Sequence, residues 1–333
     1  MPMNKPFSAT ITGVGHYVPE GRLTNADLEK MVETSDEWIT SRTGIKERRI
    51  LDDGLGTSFM AVKALESILE QKGLDAKDID LIIVATITPD MVFPAAACLV
   101  QKEIGASNAW AFDLSAACSG FLYALTVGAQ FVETGAHKRV AVIGADKMSS
   151  IMDYTNRETC ILFGDGAGAV LLEPGEPGFG IRDFILKSDG SGVEYLRQPG
   201  GGSLHPASQE TIDQKMHYIY QDGREVFKFA VPSMAEVSAQ VLERNGLVGK
   251  DVTLFVPHQA NKRIIDACIK RTDLPKDRVV INIDRFANTS AGTIPIGLSE
   301  AVSQGRVNRG DNVLLASAGA GYTWGSALLT WSY

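Results

Sequence analysis

Two stretches, AFDLSAACSGFLYALTVGAQFVETG (111–135) and NIDRFANTSAGTIPIGLSEAVSQG (282–305), decide the fold of this 333-residue chain. Each begins as a short strand, passes through a turn of small residues, and continues into a long apolar helix that ends before a Gly. A pattern that occurs twice at this length predicts a duplicated α/β unit. We therefore predict two similar halves, residues 1–175 and 176–333, in a chain long enough for an ample core.

The strands that flank these stretches support the duplication. DIDLIIVAT (78–86) resembles DVTLFVPHQ (251–259), and VAVIGA (140–145) resembles VLLASA (313–318). The spacing between the two strands is 62 residues in each copy (140 − 78 and 313 − 251). Two such halves packed face to face place the ends of corresponding strands at a pseudo-twofold axis, where α/β proteins form their sites.

Composition restricts the class of function. The net charge is −8, so nothing favours nucleic acid or an anionic membrane as a partner, and any basic site must be local. The four cysteines are scattered without CxxC spacing, which predicts a reduced, cytoplasmic protein without disulfides or a bound metal. The start, MPMNKPFSAT, has no apolar h-region, and no apolar run approaches about 18 residues, so we predict neither a signal peptide nor a membrane span.

Cys118, in LSAACSG (114–120), lies in the small-residue turn before the first long helix. An isolated Cys in such a place is most often a small buried residue. The N-terminus of the following helix, however, stabilises a thiolate and lowers a thiol pKa from about 8.5 toward neutrality. We expect Cys118 to be a nucleophile, with small flanking residues that leave room for a substrate.

His258 and Asn288 lie at strand ends and turns of the second copy, in FVPHQAN and FANTSAG. Each alone fits a structural role, as a satisfied His or a helix cap. Together with Cys118 they fit the condensation of two thioesters. The Cys accepts an acyl group, and a neutral His and an Asn amide donate hydrogen bonds to the enolate oxygen that decarboxylation leaves. A neutral His258 requires a depressed pKa, which a nearby helix N-terminus would supply.

Two glycine-rich segments do not predict a dinucleotide site. GVG (13–15) is followed by Val18 where a third glycine is required, and FGDGAGA (163–169) leads into the apolar strand AVLLE. Neither completes GxGxxG between a strand and a helix, so we predict neither NAD nor another cofactor.

The chain resembles the β-ketoacyl-acyl-carrier-protein synthase III family from about residue 8 to its C-terminus. The resemblance rests on several long motifs in the right order and spacing: SDEWITSRTGIKERRI, LSAACSGF, FGDGAGAVLLEP, VPHQANKRI, FANTSAGTIP and SAGAGYTWGSALL. It implies the thiolase fold, in which the duplicated α/β halves form a five-layer αβαβα arrangement. It also implies an acyltransferase, the initiating condensing enzyme of type II fatty acid synthesis.

The resemblance implies a role for each candidate catalytic residue. An acyl-CoA, with acetyl-CoA as the expected starter, acylates Cys118. His258 and Asn288 then bind the thioester carbonyl of malonyl-acyl-carrier protein and promote decarboxylation, and the enolate attacks the acyl-enzyme to give a β-ketoacyl-acyl-carrier protein. The family's oxyanion hole uses the Cys backbone N–H and one from a C-terminal glycine run, here GAG at 319–321. Ala320 stands where the family commonly shows the middle glycine, and it still offers a backbone N–H.

By the same resemblance, four residues bind coenzyme A. Trp38 stacks on the adenine with Arg157 on the other side, Arg42 meets a nucleotide phosphate, and Asn261 contacts the pantetheine arm. Aromatic and guanidinium planes suit a purine face, and the guanidinium fork suits phosphate. Without the resemblance, Trp38 and Arg42 fit the end of an ordinary amphipathic helix, and Arg157 fits an exposed charge.

The resemblance also implies two protein partners. The family's counterpart of Phe93 reaches across a homodimer to line the acyl pocket, whereas composition alone favours a core aromatic. Lys228 and Arg263 match a basic patch at the tunnel mouth that docks the acidic carrier protein, whereas by default both are solvated charges. The starter acyl group depends on pocket size, for which Phe93 and the segment 191–220 are the places to look.

Three alternatives stay open. A specialised condensing enzyme or acyltransferase of secondary metabolism would have the same fold. A papain-like cysteine hydrolase also has Cys, His and Asn in this order, and Cys118 and His258 are 140 residues apart (258 − 118), but this chain lacks CGSCW-type flanks. A non-catalytic partner subunit would keep the fold and lose the chemistry, which the presence of all three residues argues against.

Overall fold

The computed structural model describes residues 7–333, and no helix within this range is long and apolar enough to cross a membrane. The strands are β1 (Ser8–Tyr17), β2 (Arg22–Thr24), β3 (Glu47–Arg49), β4 (Leu81–Ala85), β5 (Trp110–Leu114), β6 (Val140–Lys147), β7 (Asp165–Gly175), β8 (Gly180–Ser188), β9 (Leu196–Arg197), β10 (Tyr220–Gln221), β11 (Leu254–Pro257), β12 (Asn312–Gly319) and β13 (Thr323–Thr330). The helices are α1 (Asn25–Leu28), α2 (Asp36–Thr43), α3 (Thr57–Lys72), α4 (Ala96–Ile104), α5 (Gly120–Glu133), α6 (Gln209–Asp213), α7 (Gly223–Arg244), α8 (Lys262–Thr272), α9 (Ile283–Phe286) and α10 (Thr293–Ser303). Short 3-10 turns precede two of them, Ala117–Ser119 before α5 and Ser290–Gly292 before α10.

The two large sheets have matching topologies. The first has the strand order β1–β7–β6–β4–β5, and the second has the order β8–β13–β12–β11. In each sheet a parallel pair, β4 with β6 or β11 with β12, is continued by two antiparallel strands, β7 and β1 or β13 and β8. The chain passes from the first sheet to the second between Gly175 and Gly180. The predicted duplication is confirmed.

Each sheet is buried on both faces, and this produces five layers. In β4, Leu81 and Ile83 belong to the central core, whereas Ile82 and Val84 point to the outer face, as the alternation of side chains along a strand requires. Helices α5 and α10 lie between the two sheets, α3 and α4 cover the outer face of the first sheet, and α7 and α8 cover that of the second. The continuous apolar run of β4 follows from this double burial. The predicted αβαβα arrangement is therefore confirmed.

Glycines allow the two halves to approach closely. A Cβ on Gly144 of β6 would lie 2.2 Å from the Ala291 carbonyl oxygen, and a Cβ on Gly168 of β7 would lie 2.6 Å from the Ile296 nitrogen. No side chain fits at either position, so the strands of the first half pack directly against the backbone of the second. The two small-residue turns consequently meet at the junction of the halves.

One predicted strand is wrong. The segment NIDRF, at the start of the second stretch, contains the short helix α9 (Ile283–Phe286) instead of a strand. The Asn282 Nδ2 and Arg285 Nη1 groups both donate to Glu300 of α10, at 2.7 Å and 2.8 Å, and this favours a helical turn with its apolar side chains inward. The strand that β5 provides in the first half is reduced here to a single parallel bridge between β11 and Val279.

Candidate active site

Cys118 lies in the 3-10 turn between β5 and α5 and is 7% exposed. The preceding Ala117 has a φ of 47°, a left-handed conformation that turns the chain sharply from the strand into the helix. The Cys118 carbonyl accepts a hydrogen bond from Ser317 Oγ at 2.8 Å, and Ser119 Oγ donates to Thr323 O at 3.0 Å. Residues of the second half therefore hold the turn of the candidate nucleophile in place.

The thiol of Cys118 does not have the predicted near-neutral pKa. Burial raises the pKa of this thiol to about 12, although the side chains of Ser290 and Asn288 act to lower it, and the charge of Asp146 acts to raise it. The prediction is wrong because the loss of water around the sulfur outweighs the neighbouring donors that favour the thiolate. Cys118 is therefore a neutral thiol in the free protein, and its proton must leave while a substrate is being attacked.

His258 follows β11 and is 2% exposed. Its Nδ1 lies 2.7 Å from the Thr293 hydroxyl, and its Nε2 has no hydrogen-bond partner among residues 7–333. Burial lowers the pKa of the imidazole to about 3, so the ring is neutral at pH 7, as the predicted chemistry requires. The cause is burial, and the ring also lies at a helix N-terminus, as the sequence suggested, because Thr293 is the first residue of α10. When the Thr293 hydroxyl donates to Nδ1, the ring proton resides on Nε2, which is then a free donor.

Asn288 lies just before the second small-residue turn and is 6% exposed. Its Oδ1 accepts a hydrogen bond from the Ser290 N–H at 2.8 Å, and its own backbone N–H donates to Leu162 O at 3.0 Å. The Nδ2 group therefore remains as the donor of this side chain, and its interaction with the sulfur acts to lower the pKa of the Cys118 thiol. Asn288 thus faces the candidate nucleophile across the junction of the halves.

The two copies correspond residue by residue through this region. Paired strands begin 173 positions apart in the two sheets (254 − 81 and 313 − 140). At the same offset, Cys118 corresponds to Ala291, and the residues with positive φ, Ala117 at 47° and Ser290 at 51°, also correspond. The prediction that Cys118 and Asn288 occupy similar turns is therefore confirmed for the turns, but the counterpart of the nucleophile is an alanine. Each half supplies reactive groups that the other lacks.

Cys118 lies between two cavities. The first, of about 100 Å³, is also lined by His258, Asn288 and the N-terminal parts of α7 and α8. The second, of about 340 Å³, is mainly apolar and includes residues 196–198 and Ile219, which belong to the segment that the sequence analysis singled out for pocket size. The three candidate catalytic residues therefore share one cavity, and a separate apolar cavity begins on the other side of the sulfur.

The glycine run at the end of β12, residues 319–321, lies directly beside Cys118. A Cβ on Gly319 would lie only 2.8 Å from the Cys118 backbone nitrogen, so a side chain at 319 would fill the space next to this amide. Ala320 lines the second cavity together with Cys118. Thr323 Oγ1 lies 2.9 Å from Ala116 O and 3.0 Å from Ala320 O, which ties the run to the Cys118 turn. The run therefore lies close to the Cys118 turn, and the oxyanion hole of the Cys118 and Ala320 amides stays a prediction.

The four residues predicted to bind coenzyme A lie together. The guanidinium carbons of Arg42 and Arg157 are 5.0 Å and 5.4 Å from the centroid of the Trp38 ring, and Arg157 also donates to Glu33 O at 3.0 Å. Asn261 caps α8 and donates through Nδ2 to Arg42 O at 3.1 Å, and it also lines the first cavity. Asn261 therefore joins the Trp38 group to the cavity that contains Cys118.

The three residues predicted to contact protein partners lie on the surface. Phe93 is 82% exposed and lines neither cavity of its own chain, so the interpretation as a core aromatic is wrong. Arg263 lies over the ring of Phe227, 4.6 Å from its centroid, and Phe227 lines the first cavity, which puts Arg263 at the cavity rim. Lys228 follows Phe227 in α7, but it forms an ion pair with Glu225 at 2.6 Å. The charge of Lys228 is therefore partly neutralised by Glu225, and Arg263 is the clearer source of positive charge at the cavity rim.

Sequence reasoning missed the residues that hold the three reactive side chains in position. Thr293 contacts His258, and the buried Ser290 and Asp146 lie beside Cys118 and influence the pKa of its thiol. A single Ser, Thr or Asp in an apolar or small-residue segment has no spacing that marks it as functional. A residue-by-residue alignment of the two copies would have placed Asp146 opposite Gly319 and drawn attention to it.

Comparison with known proteins agrees with this site. Family models described as 3-oxoacyl-[acyl-carrier-protein] synthase III and its C-terminal part match residues 112–190 and 242–331. Beta-ketoacyl-[acyl-carrier-protein] synthase III of Chlorobium chlorochromatii is 58% identical over 328 residues, which covers 98% of this chain and 100% of that protein. The protein of the same name from Koribacter versatilis is 54% identical over 327 residues, 98% of each chain. The crystal structure of 3-oxoacyl-[acyl-carrier-protein] synthase III from Aquifex aeolicus VF5 matches with a TM-score of 0.89 and 46% identity, covering 97% of this chain and 100% of that one.

The duplicated five-layer fold and the shared cavity of Cys118, His258 and Asn288 define a condensing enzyme of the thiolase fold. The chain belongs to the 3-oxoacyl-[acyl-carrier-protein] synthase III family, also called β-ketoacyl-acyl-carrier-protein synthase III. It is an acyltransferase, and the predicted family and fold are confirmed. The papain-like alternative is wrong, because neither the fold nor the family is that of a cysteine protease.

Proposed function

We propose that this protein catalyses the decarboxylative Claisen condensation of an acyl-CoA, with acetyl-CoA as the expected starter, and malonyl-acyl-carrier protein. The observation that carries the proposal is that Cys118 from one half and His258 and Asn288 from the other line a single buried cavity. The coenzyme A thioester is a substrate in this reaction, and no metal or organic cofactor takes part. The product is a β-ketoacyl-acyl-carrier protein, with which type II fatty acid synthesis begins.

The first half-reaction transfers the acyl group to Cys118. The sulfur attacks the thioester carbonyl, the bond from that carbon to the coenzyme A sulfur breaks, and the thiol proton passes to the departing thiolate. The carbonyl oxygen becomes an oxyanion, which the backbone N–H groups of Cys118 and Ala320 stabilise. The apolar cavity of about 340 Å³ next to Cys118 receives the acyl chain.

The second half-reaction forms the carbon–carbon bond. The malonyl thioester enters the cavity of His258 and Asn288, and the Nε2 and Nδ2 groups donate hydrogen bonds to its carbonyl oxygen. The bond to the carboxylate carbon breaks, CO₂ leaves, and the electron pair becomes an enolate on that oxygen. The enolate carbon attacks the acyl carbonyl, the bond to the Cys118 sulfur breaks, and the thiolate takes a proton from solvent. A neutral His258 suits this role because its one N–H donates to the enolate oxygen without placing a positive charge in the buried cavity.

Surface groups at the cavity entrance suit the two carriers. The Trp38 ring offers an adenine a stacking surface, and the guanidinium groups of Arg42 and Arg157 beside it suit a purine face or a phosphate. Arg263, at the rim of the cavity, provides local positive charge for an acidic carrier protein on a chain whose net charge is −8. Lys228 adds to this charge only when its ion pair with Glu225 opens.

We further propose that the protein is a homodimer in the cytoplasm. Val92 and Phe93 are 86% and 82% exposed, and a second copy of the chain would cover this apolar loop and bring Phe93 to the acyl cavity of its partner. Free thiols at all four cysteine positions suit a reducing compartment. Light scattering during size-exclusion chromatography measures the mass directly. We expect a dimer for the parent and a weakened dimer for Phe93→Asp, and a monomeric parent would contradict the proposal.

Acylation provides the sharpest test of the catalytic proposal. After incubation with acetyl-CoA, peptide mass spectrometry is expected to find an acetyl group on Cys118. Cys118→Ala is expected to lose both the adduct and the condensation product, whereas Cys268→Ala, at a buried thiol that lines neither cavity, keeps both. Absence of an adduct on Cys118 overturns the mechanism. Faster turnover with an acceptor other than malonyl-acyl-carrier protein would instead identify a specialised condensing enzyme.

A further inference from the structure

Asp146, near the end of β6, is a fully buried carboxylate to which the reaction steps above assign no role. Its Oδ1 accepts hydrogen bonds from the N–H groups of Ile87 at 2.8 Å and Thr88 at 3.2 Å. The same oxygen accepts from the hydroxyls of Thr86 at 3.0 Å and Thr88 at 2.9 Å. Its Oδ2 accepts from the N–H of Ala291 at 3.1 Å. A buried carboxylate is stable only with such a complete set of donors.

These hydrogen bonds connect segments from different halves of the molecule. Ile87, just beyond β4 in the first half, lines the apolar cavity beside Cys118. Ala291 lies in the turn of the second half that begins directly after Asn288 and Thr289. The side chain of Asp146 therefore fixes the wall of the acyl cavity and the Asn288 turn relative to each other.

The duplication shows what is special about this position. At the offset of 173 residues, Asp146 corresponds to Gly319, and Ala291 corresponds to Cys118 (319 − 146 and 291 − 118). At Gly319 no side chain occupies the space beside the Cys118 amide. In the other copy, the Asp146 carboxylate occupies the equivalent space and accepts the Ala291 amide. The Cys118 N–H is therefore left free to meet an oxyanion, whereas the corresponding Ala291 N–H is held by the Asp146 carboxylate.

Ser290 connects the Asp146–Ala291 hydrogen bond with the reactive side chains of Cys118 and Asn288. It is fully buried, and its Oγ has no partner with full hydrogen-bond geometry among the described residues. The Ser290 side chain acts to lower the pKa of both the Cys118 thiol and the Asp146 carboxyl group, so it lies close to both. The Ser290 N–H in turn donates to Asn288 Oδ1 at 2.8 Å. A displacement of Ala291, whose N–H is held by Asp146, therefore also displaces the Asn288 side chain through Ser290.

We propose that Asp146 is a positioning residue for the decarboxylation step: through the Ala291 amide it holds the turn that lets Asn288 and His258 share one thioester carbonyl oxygen. The inference rests on the proposed condensing function. Reaction rates depend steeply on such geometry, and a displacement of about 1 Å costs on the order of 100-fold. Acylation of Cys118 uses other donors, the Cys118 and Ala320 amides, and is therefore less dependent on the Ala291 hydrogen bond. Loss of the Asp146 charge also removes one cause that raises the pKa of the Cys118 thiol, which does not slow acylation.

The test compares two partial reactions in Asp146→Asn. Intact mass spectrometry follows acetylation of Cys118 by acetyl-CoA, and labelled CO₂ follows decarboxylation of malonyl-acyl-carrier protein. The amide side chain keeps the size of Asp146 but has a single acceptor oxygen, so one set of its backbone donors loses its partner. We expect decarboxylation to fall about 10- to 100-fold and acetylation to change by less than about threefold. The rate of CO₂ release is expressed per acetylatable Cys118, so that unfolded protein does not imitate the effect.

Asp165→Asn is the matched control. Asp165 is also fully buried, and it accepts hydrogen bonds from the N–H groups of Leu51 and Ser149, both at 2.8 Å, rather than from the turn at 290–292. We expect it to lower the melting temperature but to change both partial reactions by the same factor. Should Asp146→Asn not fold, Thr86→Val removes one donor to the same carboxylate and is expected to lower the ratio of decarboxylation to acetylation in the same direction.

The outcomes separate this inference from the proposed function. A selective loss of decarboxylation in the Asp146 variant, absent from the Asp165 control, supports the positioning role. Equal losses in both partial reactions, or no loss in either, overturn it. A parent protein that acetylates Cys118 but releases no CO₂ from malonyl-acyl-carrier protein overturns the proposed condensation itself, whatever the variants do.

Discussion

Gly319 occupies the position beside the Cys118 amide where even one added carbon has no room. Gly319→Ala places a Cβ 2.8 Å from the Cys118 nitrogen, so the nucleophile and its N–H must shift. We expect the single-turnover rate of Cys118 acetylation to fall about 100-fold. Gly190→Ala is the control, since its Cβ would meet no other atom within 4 Å, and it is expected to acetylate at the parental rate. A parental rate in the Gly319 variant would show that the oxyanion is held elsewhere.

Thr293 is the hydrogen-bond partner of the neutral His258 ring, and we expect it to favour the tautomer with the proton on Nε2. Thr293→Val removes the hydroxyl that lies 2.7 Å from Nδ1, so Nε2 is no longer favoured as the protonated nitrogen. We expect malonyl decarboxylation to fall at least about tenfold, because general acid–base and donor roles of this kind contribute about 10²- to 10⁴-fold. Thr293→Ser keeps a hydroxyl and is expected to stay near the parental rate. Equal rates for the Val and Ser variants would contradict this assignment.

Asn261 joins helices α2 and α8 and performs two tasks that substitution can separate. Its Oδ1 accepts from the Arg263 N–H at 2.9 Å and caps α8, and its Nδ2 donates to Arg42 O at 3.1 Å. Asn261→Ala is expected to lose both, with about 1 kcal/mol less stability and a higher KM for acetyl-CoA. Asn261→Asp keeps the cap and loses the donor, so we expect a raised KM at near-parental melting temperature. An unchanged KM for acetyl-CoA in both variants would show that Asn261 does not contribute to coenzyme A binding.

Most secondary-structure elements follow from local pattern. The apolar spacing of residues 57–72 predicts α3, and the uninterrupted run of β4 predicts a strand buried on both faces. Thr24, a residue type that often caps helices, accepts from the Asp27 N–H and caps α1. The failure at α9 has a long-range cause. The side chains of Asn282 and Arg285 satisfy their hydrogen bonds on Glu300 of α10, and no window of sequence around α9 contains that partner.

The stability of the whole molecule depends on pH through His258. Burial lowers the pKa of its imidazole from an ordinary 6.5 to about 3. Between these values the unfolded chain binds a proton that the folded chain excludes, so the free energy of unfolding falls as the pH falls, by about 1.4 kcal/mol per pH unit for this group alone. We expect chemical denaturation between pH 6.5 and 4 to show this loss, and His258→Asn to reduce the slope. The comparison of the parent with His258→Asn is needed because burial raises the pKa of Asp146 and Asp165. These two carboxyl groups make the free energy of unfolding rise as the pH falls. An unchanged slope in His258→Asn would contradict the prediction.

The sequence was sufficient for the overall architecture and for the choice of reactive side chains, but not for their electrostatics. The repeat and its spacing predict that Cys118, His258 and Asn288 converge, because corresponding strand ends meet when two copies pack face to face. The protonation state of Cys118 depends instead on how completely the second half excludes water from its sulfur. That burial, like the hydrogen bond from Ala291 to Asp146, exists only after both halves have assembled.

Gly144 and Gly168 determine how closely the two halves approach each other. Because a hydrogen atom takes the place of a side chain at each position, the backbones of the two halves lie in direct contact there. Substitutions in the outer cores are therefore free to alter stability while the nucleophile and its two partners keep their spacing. We expect a methyl group added at either glycine to push the two halves apart and to lower the reaction rate, although it would contact no reacting group.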